Sequence, residues 1–308
     1  MKDLRVIFMG SPLFSVPVLE ALYNNTKVIG VVTSPDAYVG RKKVLTMCPV
    51  KEKAVSLNVP VYSPAKLRSD YEFIKELNPD MIITCAYGQI LSEDILNIPK
   101  MGCFNLHGSL LPKYRGGAPI HYALLNGDDV TGITLMYMDK GMDSGDMIAK
   151  EEVKIEDNDN IETLTNKLSV IASKMIIKYL PSLIGGTNDR EKQDDKLVTF
   201  SPIINREDEH LDFNKSAEEV YNRFRMLSPS PLPNIKIDDV EYKIAECRIV
   251  DASGKISYVV NKDKNSFTIM AKDKGIMITK IKPIGKNIMN VRDFFNGYHG
   301  EIIGKEVQ

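Results

Sequence analysis

In the first half of the chain, short β-branched runs alternate with longer stretches of helical spacing, and this alternation predicts a mostly parallel sheet covered by helices. Residues 4–8, 27–33, 81–85, 102–106 and 132–138 read as strands, and residues 16–23 and 161–180 as helices. A dinucleotide site needs G-x-G-x-x-G after the first strand, so that backbone amides can approach a pyrophosphate, and this chain offers only Gly10 there. The expectation is an α/β, Rossmann-like sheet that does not bind NAD.

From residue 184 the composition shifts to Gly, Asn, Asp, Glu and Lys, and beyond residue 211 the pattern changes to one helix-like stretch (217–226), a proline-rich run (SPSPLP, 228–233) and several short strands near 240–283. This predicts a first domain over 1–188, a linker over 189–206 and a small OB-like β-barrel domain over 207–308. With 308 residues, the chain is long enough for two domains that each bury a core.

The net charge of -1 provides no global attraction to nucleic acid or membrane, so any nucleic-acid surface must be local. Between residues 254 and 292, nine basic residues face two acidic ones, a local net of +7. Such a run is commonly a solvated face or edge protection. Charged residues interrupt every apolar run before it reaches membrane-spanning length, and the start of the chain has too short an apolar run for a signal peptide. The four cysteines are widely spaced with no CxxC pair, as in a cytoplasmic protein with reduced thiols; no metal site is expected, and a monomer is.

The densest chemical cluster is FNLHGSLLPKYRGGAP (104–119), where an apolar strand ends in polar residues and enters a Gly/Pro-rich loop. Asn105 and His107 are two apart, so both side chains leave one face of a strand and can address one bound group. His121, His210 and His299 have no such companions and read as structural. The acidic turn MDKGMDSGD (138–146) carries Asp139, Asp143 and Asp146 among glycines. It does not match the EF-hand pattern, and on composition alone it is a solvated turn as readily as a site.

The run NLHGSLLPKYRGGAPIHYALLNGD followed by MDKGMDSGDM resembles the signature of the folate-dependent formyltransferase family, and its GGAPI continuation is similar to the methionyl-tRNA formyltransferases within it. FMGSPLFSVPVLEAL, SPDAYVGRKK, CAYGQIL and IKPIGKNIMNVRDFFNG extend the resemblance along nearly the whole chain. The resemblance implies transfer of a formyl group from 10-formyltetrahydrofolate to the α-amino group of initiator methionyl-tRNA, with Asn105, His107 and Asp143 as catalytic residues. In those roles Asn105 would hold the formyl oxygen, His107 would stabilise the tetrahedral oxyanion, and Asp143 would hold the imidazolium and help relay a proton. The folate would lie along Tyr87, Gly88 and Leu91 and the loop Ser109, Leu110, Leu111 and Pro112.

For the tRNA, Arg41, Lys42 and Lys43 beside Gly40 form a basic loop tip able to reach phosphates and Arg206 is the linker's candidate, while the resemblance makes Arg41 the matching tRNA contact and the barrel a tRNA-binding domain. Lys42 departs from the family's Gly-Arg-Gly pattern, and the stretch SPIINREDE (201–209) is more acidic than the family's linker. A glycinamide ribonucleotide transformylase, a formyltetrahydrofolate hydrolase or a nucleotide-sugar formyltransferase would share the Asn, His and Asp. The first two would lack the second domain, and the third would lack GGAPI and the basic barrel. A non-catalytic RNA-binding module is the reading from a different class.

Overall fold

Strand β1 (Arg5–Met9) is an apolar run with four of its five residues buried, the composition of a strand covered on both faces. The computed structural model describes residues 1–308 except Arg41 and His299, so the expectations for those two lie outside the described residues. After β1 come α1 (Val16–Asn25), β2 (Lys27–Val32), β3 (Ala37–Val39), β4 (Val44–Thr46), α2 (Pro49–Ser56), β5 (Val61–Tyr62) and α3 (Glu72–Leu77). The chain continues through β6 (Met81–Thr84), α4 (Glu93–Leu96), β7 (Cys103–His107), α5 (Pro119–Leu125), β8 (Val130–Tyr137), β9 (Met147–Lys154) and α6 (Ile161–Gly185).

Seven of these strands form one sheet in the order β5-β2-β1-β6-β7-β8-β9. The pairs from β5 to β7 are parallel, and β8 and β9 are antiparallel additions at the edge. Gly10 ends β1 where the chain passes closest to β6: a Cβ there would lie 2.6 Å from the Cys85 carbonyl oxygen, which already accepts from Ser15 Oγ. Close approach accounts for that glycine.

By length and composition α6 could cross a membrane, with a mean hydropathy of 1.3. Its buried residues Leu164, Leu168, Ala172, Met175, Ile176 and Leu180 recur at steps of three and four, the stripe of a helix that covers a core.

The chain separates into two compact units, the first comprising Met1–Pro119, Val130–Lys154 and Thr165–Pro202, and the second Ile120–Asp129, Ile155–Leu164 and Ile203–Gln308. Residues 189–202 are thus part of the first unit. They run as a strap along it, with Glu191 bridging Met147 and Phe200 bridging Arg115.

The second unit contains α7 (Ala217–Leu227), β10 (Asn234–Ile237), β11 (Val240–Val250), β12 (Val259–Lys262), β13 (Phe267–Met270), β14 (Gly275–Pro283), β15 (Met289–Asn290) and α8 (Val291–Asn296). Ser216 and Glu219 form a reciprocal capping box that fixes the start of α7. The strands make an antiparallel sheet in the order β10-β11-β14-β13-β12, with β15 added to β14. Register shifts between Ile244 and Cys247 bend the long strand β11, as bulges do when a sheet curls. Phe213, Ile235, Ile244, Phe267, Ile278 and Ile281 fill the resulting interior.

Candidate functional site

Strand β7 carries both polar residues of the signature at its C-terminal end, where open α/β sheets bind ligands. His107 is 5% exposed and Asn105 is half-buried. Neighbouring β6 supplies Thr84, whose hydroxyl donates to Asn105 Oδ1 at 2.8 Å. That leaves Asn105 Nδ2 to donate to Asp143 Oδ1 at 3.4 Å.

Asp143 lies in the turn between β8 and β9, the acidic string MDKGMDSGD, and the structure separates its three aspartates. Asp139 accepts from Gly141 N–H at 2.9 Å and from Ser144 Oγ at 2.8 Å, which makes it a brace inside the turn. Asp146 accepts from Arg190 Nε at 2.7 Å. Asp143 alone reaches Asn105 and His107, with Oδ1 3.5 Å from His107 Nδ1, while Oδ2 accepts from the Gly116 N–H at 2.9 Å. Asp143 adopts a left-handed backbone at φ 51, and Gly145 lets the turn close, since a Cβ there would sit 1.9 Å from the Tyr137 carbonyl oxygen.

His107 Nε2 lies 2.8 Å from the Tyr114 carbonyl oxygen. A carbonyl only accepts, so Nε2 carries a proton. With Asp143 facing Nδ1, a ring protonated at both nitrogens finds a partner for each. The Tyr114 carbonyl is shared with Ser201 Oγ at 3.1 Å, so the strap also borders the site.

Of the residues expected to hold a flat ring ligand, Tyr87 and Leu91 are buried and Gly88 is exposed at φ +85. Burial pushes the Tyr87 hydroxyl up to about 12, and its oxygen has no hydrogen-bond partner among the described residues. Several polar groups of the loop from Ser109 to Pro112 are bonded within the protein. Ser109 Oγ donates to Lys113 O at 2.6 Å, and Thr134 Oγ1 donates to Ser109 O at 2.7 Å while accepting from Leu111 N–H at 3.0 Å. The Leu110 carbonyl accepts from Lys113 N–H at 3.2 Å. The loop is therefore braced from within, with Leu110 and Pro112 as its partly exposed side chains and Ser109 and Leu111 buried.

Lys42 and Lys43 are exposed in the turn joining β3 to β4, beside exposed Tyr38, Val39, Val44 and Leu45. In the second unit, Arg206 is exposed at the start of a short 3-10 helix, followed by Glu207, Asp208 and Glu209. A cleft of about 420 Å³ in that unit is lined by Lys262, Asp263, Lys264, Arg292, Phe295 and Asn296. Its one acid is occupied with its own turn: Asp263 Oδ1 accepts from Asn265 and Ser266 N–H, the first of these bonds contributing most to holding the carboxyl below its usual range.

The sequence reading missed Gln193, which lies in the polar run EKQDDK assigned to a linker. Its Nε2 donates to the carbonyls of Asp143 at 2.8 Å and Gly145 at 2.9 Å, and its Oε1 accepts from Arg115 Nε at 2.9 Å. No periodicity or motif marks a residue that acts through main-chain groups fifty positions away. Thr84 was missed for a related reason, because its role depends on β6 pairing with β7.

Comparison with known proteins agrees with this architecture. Residues 4–180 match the formyl transferase family, and residues 203–299 match the formyl transferase C-terminal domain. The methionyl-tRNA formyltransferase of Macrococcus caseolyticus is 44% identical over 302 residues, covering 97% of each chain. That of Bacillus subtilis is 43% identical over 309 residues, covering 97% of this chain and 98% of its own. Among solved structures, an N-formyltransferase from Helicobacter canadensis, in complex with folinic acid and dTDP-3-aminofucose, shares the fold at a TM-score of 0.68 and 20% identity, covering 90% of this chain and 99% of its own. With the signature strand, the acidic turn and the second domain all present, the chain belongs to the methionyl-tRNA formyltransferase family.

Proposed function

We propose that the protein transfers the formyl group of 10-formyltetrahydrofolate to the α-amino group of methionine on initiator methionyl-tRNA, acting in the cytoplasm as a monomer. The observation that carries the site assignment is the Asp143 carboxylate, which reaches both Asn105 and His107. Full-length relatives at 43–44% identity named for this reaction support the substrate pair.

The folate supplies a formyl carbon activated by its bond to N10. Around that carbon, Asn105 has a second amide N–H beyond the one directed at Asp143, and this is the donor for the formyl oxygen. His107, whose ring nitrogens face the Tyr114 carbonyl and Asp143, is the group we assign to stabilising the oxyanion. As the amine nitrogen bonds to the formyl carbon and the carbon–N10 bond breaks, one ammonium proton must reach N10, and Asp143 is the group we assign to relay it. The partnerless Tyr87 hydroxyl suits a polar edge of the pterin. Lys42, Lys43, Arg206 and the barrel's basic cleft are the groups we assign to tRNA phosphates, together with Arg41.

The test is formyl transfer with methionyl initiator tRNA as acceptor, beside uncharged tRNA, glycinamide ribonucleotide and water. Transfer confined to the charged tRNA and abolished in His107→Ala supports the proposal. Formate release or transfer to glycinamide ribonucleotide keeps the folate site and overturns the tRNA assignment.

A further inference from the structure

We infer that Gln193 is a positioning residue for formyl transfer, placing the Asp143 carboxylate by gripping the main chain of its turn. The inference rests on the assignment of Asn105, His107 and Asp143 as the reacting centre. Three observations carry it.

The first is that one side-chain amide binds the turn twice. Gln193 Nε2 donates to the carbonyls of Asp143 at 2.8 Å and Gly145 at 2.9 Å, so both of its protons are committed to the acidic turn. Asp143 holds the left-handed conformation at φ 51 that residues other than glycine rarely adopt, a conformation that needs its surroundings to fix it.

The second is that the amide cannot be reversed. Arg115 Nε donates to Gln193 Oε1 at 2.9 Å, and a guanidinium has no acceptor, so the oxygen end must face Arg115 and the nitrogen end the two carbonyls.

The third is closure. Arg115 is bonded in sequence to Gly116, whose N–H donates to Asp143 Oδ2 at 2.9 Å. Asp143, Gln193, Arg115 and Gly116 therefore form a ring of hydrogen bonds that fixes both the carboxylate and the peptide carrying it. Glu191, two residues before Gln193, ties the strap to Met147 on the far side of the turn through paired main-chain bonds of 2.7 and 2.9 Å. The strap is thereby anchored independently of the side chain whose role is in question.

Gln193 touches no reacting atom in this scheme, so its loss should appear in turnover and not in substrate binding. For Gln193→Ala, kcat for formyl transfer to methionyl initiator tRNA should fall about 10- to 100-fold, as for a displacement of about 1 Å in a catalytic group, with KM for both substrates little changed. Gln193→Glu keeps the acceptor for Arg115 and removes the donors to the carbonyls; it should show the same kcat loss and carries the test if the alanine variant does not fold. On an Asp143→Asn background, Gln193→Ala should add little, because groups that act as a unit are not additive.

Unchanged kcat in both Gln193 variants, a rise confined to KM, or a full further loss on the Asp143→Asn background would each overturn the inference. If Asp143→Asn itself turns over like the parent enzyme, the site assignment fails and the inference with it. That outcome is distinct from an impaired Asp143→Asn beside a fully active Gln193→Ala, which sinks the clamp alone.

Discussion

Asp143 Oδ1 lies 3.5 Å from His107 Nδ1 and 3.4 Å from Asn105 Nδ2, so one carboxylate oxygen addresses both polar residues of the signature strand. Removing any of the three deletes a group that acts on developing charge, while β7 and the turn retain their main-chain pairing. Asn105→Ala, His107→Ala and Asp143→Asn are each expected to lower kcat about 10²- to 10³-fold with a melting temperature near that of the parent, measured by steady-state formyl transfer and calorimetry. Near-parental turnover in any of them removes that residue from the mechanism.

Gly145→Ala should be far more damaging than an alanine substitution usually is. The new Cβ would meet the Tyr137 carbonyl oxygen at 1.9 Å, a collision that backbone must move to relieve. Because that carbonyl belongs to β8 and the turn carries Asp143, both the melting temperature and kcat should fall. The control is Gly186→Ala, where open space surrounds the new Cβ but φ is +63, so it isolates backbone strain from collision.

The buried thiols make stability sensitive to alkali. Burial raises Cys85 and Cys103 from an ordinary 9.0 to about 12 and pushes Cys247 up as well. In the folded chain these thiols stay protonated where the unfolded chain has lost the protons, so the unfolded state binds fewer protons and stability falls as pH rises from about 9 towards 12. Urea midpoints at pH 7.5, 9 and 10 should decline over that range, and Cys85→Ala should show a shallower decline. A flat profile would contradict the burial. By the same reasoning, iodoacetamide on the native protein should modify Cys48, the one cysteine that is not buried, before the other three.

If the barrel cleft holds RNA phosphates, Lys264→Ala and Arg292→Ala should weaken binding of methionyl initiator tRNA while kcat at saturation stays unchanged. Removing one cation that neutralises a phosphate should reduce the slope of log affinity against log salt by about 1. Identical salt slopes for the parent and both variants would exclude the cleft from binding.

Asn105 and His107 were legible because a strand has period two, so residue spacing alone put them on one face. The apolar runs of β1 and β6 similarly announced a sheet covered on both sides. Composition and spacing could not separate the three aspartates of MDKGMDSGD, and it was the family resemblance that pointed to Asp143; the fold adds that Asp139 braces the turn, Asp146 meets Arg190 and Asp143 faces Asn105 and His107. Nor could the sequence show that the polar strap belongs to the first unit. Its attachment runs through main-chain bonds from Glu191, Thr199 and Ser201 and polar side chains such as Gln193 and Ser201, none of which requires an apolar pattern. The sequence also could not show Thr134, which β8 brings beside the loop from Ser109 to Pro112 and which bonds the Ser109 carbonyl and the Leu111 N–H.

Gly116 gives the Asp143 carboxylate its shortest bond through a main-chain N–H, at 2.9 Å. Every residue but proline has that atom, so a side-chain scan of the loop cannot detect the anchor. What does depend on the side chain is the room for it: a Cβ at this position would lie 2.8 Å from the Ser201 carbonyl oxygen, and φ is +120. A laboratory screen would therefore record Gly116 as a packing position, although the same substitutions also shift the peptide that aims the acid. The two effects separate only by an amide-to-ester replacement of that one linkage, which removes the proton and leaves the shape.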